Sequence, residues 1–563
     1  MTLGNFLRRL CAVYFIFHSA SLFSLSFFDE GAPEELAAAI EQAMSDEQAL
    51  AQTFMLGWVG AEPSPLIMDW INQRNIGGVK IFGWNTDDTQ RLARTVGDLQ
   101  QASIAGPYKI PLLMATDQEG GWIRHVKGST SETPGNMAIG ASGYPRDAYL
   151  AGYYIGKELA VLGINMNFAP TVDLFTNRDS VLIGPRAFGS DPVKAGILGA
   201  AFVKGQLAAG VIPTAKHFPG HGDTDLDSHG ILPRIDISFD TLWERELVPY
   251  RMLSNEGIPA IMSGHLAFPN TGAESAPASL SSWFLKDVLR DKIGFKGVVI
   301  TDDLMMNGAS LWAGSVSRAA RQALLAGNDI IMMSRTPGLF DQIWTSLTAS
   351  MRDDEEFRRC VRAAARRVLE MKLRYMRGEG AAPYIPDPQR VEDELPDPEG
   401  SAFFLNLAAR SVTIVQNREL PNAQAAGRET ETARTLPLKP ENAGQVLLAG
   451  QFRDFFSAGR AAFPNAVLLW YSSGATAELL QYARNADTII FCIADASGLR
   501  LLRSLEPLRK RVIVLSVLSP VYIESVPWIN GAVAVYSYAP ESFAAGFSAI
   551  TGRINARGRL PYE

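Results

Sequence analysis

The chain has 563 residues, 47% hydrophobic and 20% charged, a globular composition too long for one ordinary domain. Its net charge is −7, from 52 basic against 59 acidic residues, with no basic stripe, which argues against nucleic-acid binding through phosphate neutralisation.

In chain order, MTLGNFLRR, the apolar run LCAVYFIF and the small-residue site at His18-Ser19-Ala20 have the form of an export signal, with cleavage expected after Ala20 or slightly later. The alternative is an uncleaved anchor, because apolar character continues to Phe28 and the stretch from Leu10 is just long enough to span a bilayer. Residues 1–28 are therefore read as signal peptide or anchor, and the protein as exported to the periplasm, envelope or exterior. Cys11 lies too early for a lipid attachment site, and Cys360 and Cys492 sit in apolar patterns that fit buried thiols rather than disulfides.

From residue 54, eight short apolar runs alternate with helical stretches: FMLGWV, GGVKIF, PLLMATD, INMNFAPTVD, IPTAKHF, IPAIMSGHL, GVVITDD and NDIIMMS. Continuous apolar runs suit parallel strands covered on both faces, and eight βα units predict a (β/α)₈ barrel over 35–378. An open doubly wound sheet is the alternative. A barrel places functional residues at strand C-termini, where Asp117, Lys216, His217, His265, Asp302 and Asp303 all fall. Residues 379–402 form a Pro-rich, acidic linker, a composition unsuited to a helix or central strand. Six more strand-like runs between 411 and 538, separated by helical segments, predict a smaller α/β sandwich over 403–563.

The stretch KHFPGHGDTDLDSHG (216–230) carries three of the six histidines. A calcium loop starting at Asp223 fails, because Ser228 and Arg234 stand where Gly and a bidentate Glu are required. Zinc held by His217, His221 and His229 lacks a helical ligand spacing, and a plain solvated loop is a further reading. A catalytic loop accounts for most of these residues. Asp227, two residues from His229, can orient its ring for proton donation, and the glycines let the loop move. Asp302 across the barrel mouth is a candidate nucleophile.

KHFPGHGDTDLDSH, with ATDQEGG (115–121), NFAPTVD (167–173), GPRAFGSDP (184–192) and GFKGVVITDDLMM (294–306), resembles bacterial β-N-acetylglucosaminidases of glycoside hydrolase family 3. The resemblance covers most of residues 50–340. The closing TGRINARGRLPYE (551–563) is similar, over a shorter match, to the end of the family's accessory domain. It implies a retaining glycosidase with Asp302 as nucleophile and His229 as acid/base oriented by Asp227. It further implies Asp117, Arg186, Lys216 and His217 as binders of a saccharide with terminal β-GlcNAc, and no metal or organic cofactor. Water or phosphate could accept the sugar. The chain departs from the family at His125, preceded by Arg124, where an arginine eight residues after Asp117 is usual. His221 and His265 are read as supporting groups, and Met305 and Met306 as packing beneath the site. Competing readings are a β-glucosidase, a GlcNAc phosphorylase and an inactive wall-binding protein.

Overall fold

The computed structural model describes residues 25–224, 226, 230–273, 275–419 and 434–562. Eight parallel strands, β1 (Phe54–Gly57), β2 (Gly78–Lys80), β3 (Leu113–Thr116), β4 (Met166–Asn167), β5 (Ile212–Phe218), β6 (Ala260–Ser263), β7 (Val298–Thr301) and β8 (Ile331–Met333), pair in the order β8-β1-β2-β3-β4-β5-β6-β7. β1 pairs with β8 in the register Phe54–Ile331, and a bridge between Ile300 and Ile330 completes the ring. Helices separate the strands, giving the (β/α)₈ barrel.

Burial on both faces explains why the strands read as unbroken apolar runs. Met55, Leu113, Ala115, Met166, Ile212, Ala260, Met262, Val298, Ile300 and Met332 pack in one cluster. Their alternate neighbours, including Leu56, Met114, Ile261, Val299 and Met333, pack with residues of the surrounding helices. Helices Pro33–Ala43 and Glu355–Tyr375 add Leu36, Ile40, Val368 and Leu369 to the first cluster and so close one end of the barrel. Phe27, within the range read as signal or anchor, is fully buried in that cluster, and its N–H donates to Tyr108 O at 2.7 Å. The folded body therefore begins before residue 28. Residues 1–24 lie outside the described residues, among which no helix is long and apolar enough to cross a membrane.

The expectation that the Pro-rich linker 379–402 holds no helix is corrected: helix Pro388–Glu394 lies in it and helix Pro398–Ser411 starts in it. Each starts on a proline, whose missing N–H costs nothing in the first turn, and each is capped by the preceding aspartate, Asp387 or Asp397. Beyond them β9 (Thr413–Asn417), β10 (Val446–Gly450), β11 (Val467–Trp470), β12 (Thr488–Ile493), β13 (Arg511–Ser516) and β14 (Gly531–Ala534) form one sheet, ordered β9-β14-β13-β12-β10-β11. Only β9 runs antiparallel to its neighbour. Separate apolar clusters, one including Leu448, Ile490 and Leu515 and the other Leu447, Ile489 and Val514, cover its two faces with helices, giving an α/β sandwich. Cys492 is buried in this sheet, whereas Cys360 is partly exposed, and neither is in a disulfide.

At the closed end of the barrel, the Lys372 ammonium is fully buried, donating to Gln52 Oε1 at 3.1 Å, and burial lowers its pKa to about 7. The unfolded chain keeps this proton up to about pH 10.4, so it binds more protons than the native state between roughly pH 7 and 10.4. This group's contribution to stability consequently rises with pH across that window. Lys372→Met is expected to stabilise the protein by about 2 kcal/mol at pH 6. Urea unfolding at pH 6 and 9.5 should show the gain shrinking at the higher pH, and equal gains would refute the assignment.

Candidate active site

The barrel mouth is built from the C-terminal ends of its strands. Asp117, just after β3, is clamped between two lysines: Lys216 on β5 binds Oδ1, and Lys80 at the end of β2 binds Oδ2 at 2.8 Å. Two residues on, buried Glu119 accepts from Arg186 Nε at 2.9 Å and Nη2 at 2.7 Å, and its Oε1 is 2.7 Å from Lys216 Nζ. Lys216 thus bridges both acids. The result is a rigid wall in which each buried charge has an opposite partner.

The shifts follow from this pairing. Burial works to raise Asp117, but Lys216, Lys80 and His125 outweigh it and hold the carboxyl well below its usual range. Burial is likewise outweighed at Glu119, where Arg186 and Lys216 bring the value down to about 2. Burial opposes the charge on Lys216, yet Asp117 and Glu119 raise its pKa overall.

His217, next along β5, faces Asp173 in the loop after β4. The Asp173 carboxylate accepts the His217 backbone N–H and lies 2.7 Å from Nδ1; it also accepts the His221 N–H at 2.7 Å. Burial raises the Asp173 pKa, but His217 and the other donors depress it to about 2. An ionised carboxylate only accepts hydrogen bonds, so the His217 Nδ1 carries the proton and Nε2 is left for the mouth.

Asp302 and Asp303 follow β7 and differ in environment. Asp303 Oδ1 accepts from Met305 N–H at 2.9 Å and Ser334 N–H at 3.0 Å, tying the β7 loop to β8, and burial raises its pKa. Asp302 Oδ1 accepts from the Asp303 N–H at 2.8 Å. Burial pushes its pKa up, but His217 and His265 together with that N–H bring it below the usual value. Asp302 is therefore an ionised carboxylate beside imidazoles. His265 is fully buried, its Nδ1 2.7 Å from Ser279 Oγ and its Nε2 donating to Asp303 O at 3.0 Å, and it supports the loop.

Asp117, Arg186, Lys216, His217 and Asp302 all lie at this end of the barrel. Asp227 and His229 lie outside the described residues. Sequence reasoning missed Lys80, Glu119 and Asp173, although each stands in a quoted run: Lys80 in GGVKIF, Glu119 in ATDQEGG and Asp173 in NFAPTVD. The one trace of Lys80 in the sequence is a lysine inside an otherwise apolar strand-like run. At the family departure, Arg124 turns away to Thr130 O and Glu132. Lys80 fills the space beside Asp117 instead, with His125 Nδ1 3.3 Å from its Nζ. His125 has its pKa lowered to about 4 by burial and by Lys80, so the neutral ring accepts a hydrogen bond from the ammonium at Nδ1 and carries its own proton on Nε2. Met306 is buried, but Met305 is 40% exposed because Asp303 turns the chain there, so it does not pack beneath the site. Among the described residues, no three His, Cys, Asp or Glu side chains form a metal-holding group.

A parallel (β/α)₈ barrel whose strand ends gather paired carboxylates, lysines and histidine defines an α/β-barrel protein with a polar cluster where such barrels carry their sites. Residues 48–371 match the glycosyl hydrolase family 3 N terminal domain, and the chain belongs to that family. Beta-hexosaminidase A of Pseudoalteromonas piscicida is 38% identical over 286 residues, 48% of this chain and 47% of that protein, so the match spans about half the length of that relative. The Beta-hexosaminidase of Tolumonas auensis is 36% identical over 282 residues, 49% of this chain and 81% of its own. Among solved structures, a glycoside hydrolase family 3 beta-N-acetylglucosaminidase from Paenibacillus sp. superposes with a TM-score of 0.79 at 28% identity. It covers 92% of this chain and 99% of the other.

Proposed function

We propose that the protein is a retaining exo-β-N-acetylglucosaminidase that removes terminal GlcNAc from cell-wall-derived or chitin-like saccharides. The observation that supports this reading is that Asp302, whose carboxyl feels His217, His265 and Lys216, shares the strand-end face of the barrel with the Asp117–Lys216–Glu119–Arg186 wall. The wall offers three cations, Lys80, Lys216 and Arg186, near four carboxylates, Asp117, Glu119, Asp173 and Asp302, which suits a neutral polyhydroxylated ligand. The relatives named beta-hexosaminidase support the sugar class.

In the mechanism that follows, Asp302 attacks C1 of the terminal sugar as the bond to the leaving oxygen breaks, and His229, held by Asp227, gives that oxygen its proton. The neutral imidazole then takes a proton from water, whose oxygen attacks C1 and frees the Asp302 carboxylate. Asp117, Lys216 and His217 hold the sugar hydroxyls and acetamido group, and Arg186 completes that wall.

The test is nitrophenol release from aryl β-GlcNAc and aryl β-glucoside, with and without phosphate. Turnover selective for GlcNAc and indifferent to phosphate is expected. Faster cleavage of the glucoside, or release of sugar phosphate, would replace the reading by the glucosidase or the phosphorylase. GlcNAc binding without turnover would make the chain a saccharide-binding protein.

A further inference from the structure

The loop that carries Arg186 is held from behind by the other domain. It leaves β4 as irregular backbone with one short helical turn, Gly184–Arg186. Its side chains Phe175, Ile183 and Ala187 gather in a cluster apart from the main barrel core, together with Ala534, Tyr536 and Tyr562 of the C-terminal domain. The Tyr562 ring stands edge-on to Phe175, centroids 5.2 Å apart, and is covered by the Arg178 guanidinium 4.5 Å from its centroid. Arg178 also pairs with Glu524.

The backbone is pinned as well. Ser190 N–H donates to Pro561 O at 3.1 Å, and Arg559 N–H donates to Ala141 O at 3.0 Å. At Gly189 a Cβ would stand 2.1 Å from Pro561 O, so the two backbones meet where no other residue fits. Asn136 Nδ2 donates to Arg186 O at 2.8 Å, and the Arg186 guanidinium makes its two parallel bonds to Glu119. Arg186 thus sits on a strip of chain whose front is fixed by Glu119 and whose back is fixed by residues 559–562.

We propose that segment 559–562, anchored by Tyr562, is a positioning element of the sugar pocket that holds the Arg186 loop in the geometry needed to bind the terminal sugar. The proposal rests on the reading of Arg186 as a sugar-binding residue. Removing the ring leaves an apolar void behind the loop, and the loop must then be reordered each time sugar binds, a cost that appears in KM rather than in the chemical step.

The experiment compares Tyr562→Ala, Tyr562→Phe and Arg186→Ala in the full chain on aryl β-GlcNAc, with melting curves for each. Tyr562→Ala should raise KM about tenfold while kcat stays within roughly threefold, since small displacements of a positioning group weaken binding without touching the reacting atoms. Tyr562→Phe should restore the wild-type KM, because the Tyr562 hydroxyl makes no hydrogen bond among the described residues. Arg186→Ala gives the reference: if it leaves KM unchanged, the sugar-binding reading itself fails. If Arg186→Ala raises KM but Tyr562→Ala only lowers the melting temperature, the brace is wrong and the pocket reading stands. Should Tyr562→Ala not fold, Arg178→Gln at the surface removes the cover of the ring; a roughly threefold rise in KM supports the brace, and an unchanged KM overturns it.

Discussion

Asp302→Asn is expected to lower kcat on aryl β-GlcNAc by roughly 10⁴-fold with little change in KM, because an amide of the same shape binds sugar but cannot form the glycosyl ester. The size of the effect rests on the charge state of this carboxyl. Burial alone would favour its neutral form, but His217, His265 and the Asp303 N–H hold it ionised. The acid limb of kcat/KM should accordingly lie below the ordinary carboxylate range, activity being lost as pH falls through it. Asp303→Ala is the control. It removes the acceptor for Met305 and Ser334, so its main effect should be a lowered melting temperature from a loosened β7–β8 connection. If Asp303→Ala, and not Asp302→Asn, abolishes turnover in a folded protein, the nucleophile has been assigned to the wrong neighbour.

Glu119→Gln is expected to destabilise the protein by about 3 kcal/mol and to raise KM severalfold. Arg186 and Lys216 are buried cations that share Glu119, and a neutral amide leaves part of their charge uncompensated. Arg186 cannot respond by losing its proton. The pH dependence has a definite sign. With a native pKa of about 2 against roughly 4.3 unfolded, the contribution of Glu119 is complete above the unfolded value and is lost as pH falls towards 2. Urea unfolding of wild type and variant should therefore differ most near neutrality and converge in acid. A difference that persisted at pH 2 would point to packing instead of charge.

Much of the barrel was legible because parallel strands covered on both faces write themselves as apolar runs, and their polar ends name the mouth. Asp117, Lys216, His217 and Asp302 could be placed by that rule alone. Lys80 could not, since a single lysine inside GGVKIF has meaning only when its distance to Asp117 is known. The partnerships of Glu119 with Arg186 and of Asp173 with His217 likewise join strand ends that are remote in the chain. The proline-rich stretch was misread because proline density was taken as a bar to helices, whereas Pro388 and Pro398 each occupy a first helical position behind a capping aspartate. Phe27 fell within the range read as leader or anchor because an apolar leader and an apolar core residue look alike in one dimension.

Pairing of β1 with β8 sets the order in which this molecule can assemble. The first strand finds its second neighbour only when the eighth has been made, so during synthesis the β1 edge waits as an unpaired row of backbone donors and acceptors. Closure is a contact of very high sequence separation, which makes folding slow and leaves sticky intermediates. The Arg186 loop waits longer still, for residues 559–562. A nascent chain lacking that last segment displays an apolar face around Phe175 and Ile183, the kind of surface that chaperones bind and that aggregates when refolding is attempted at high concentration.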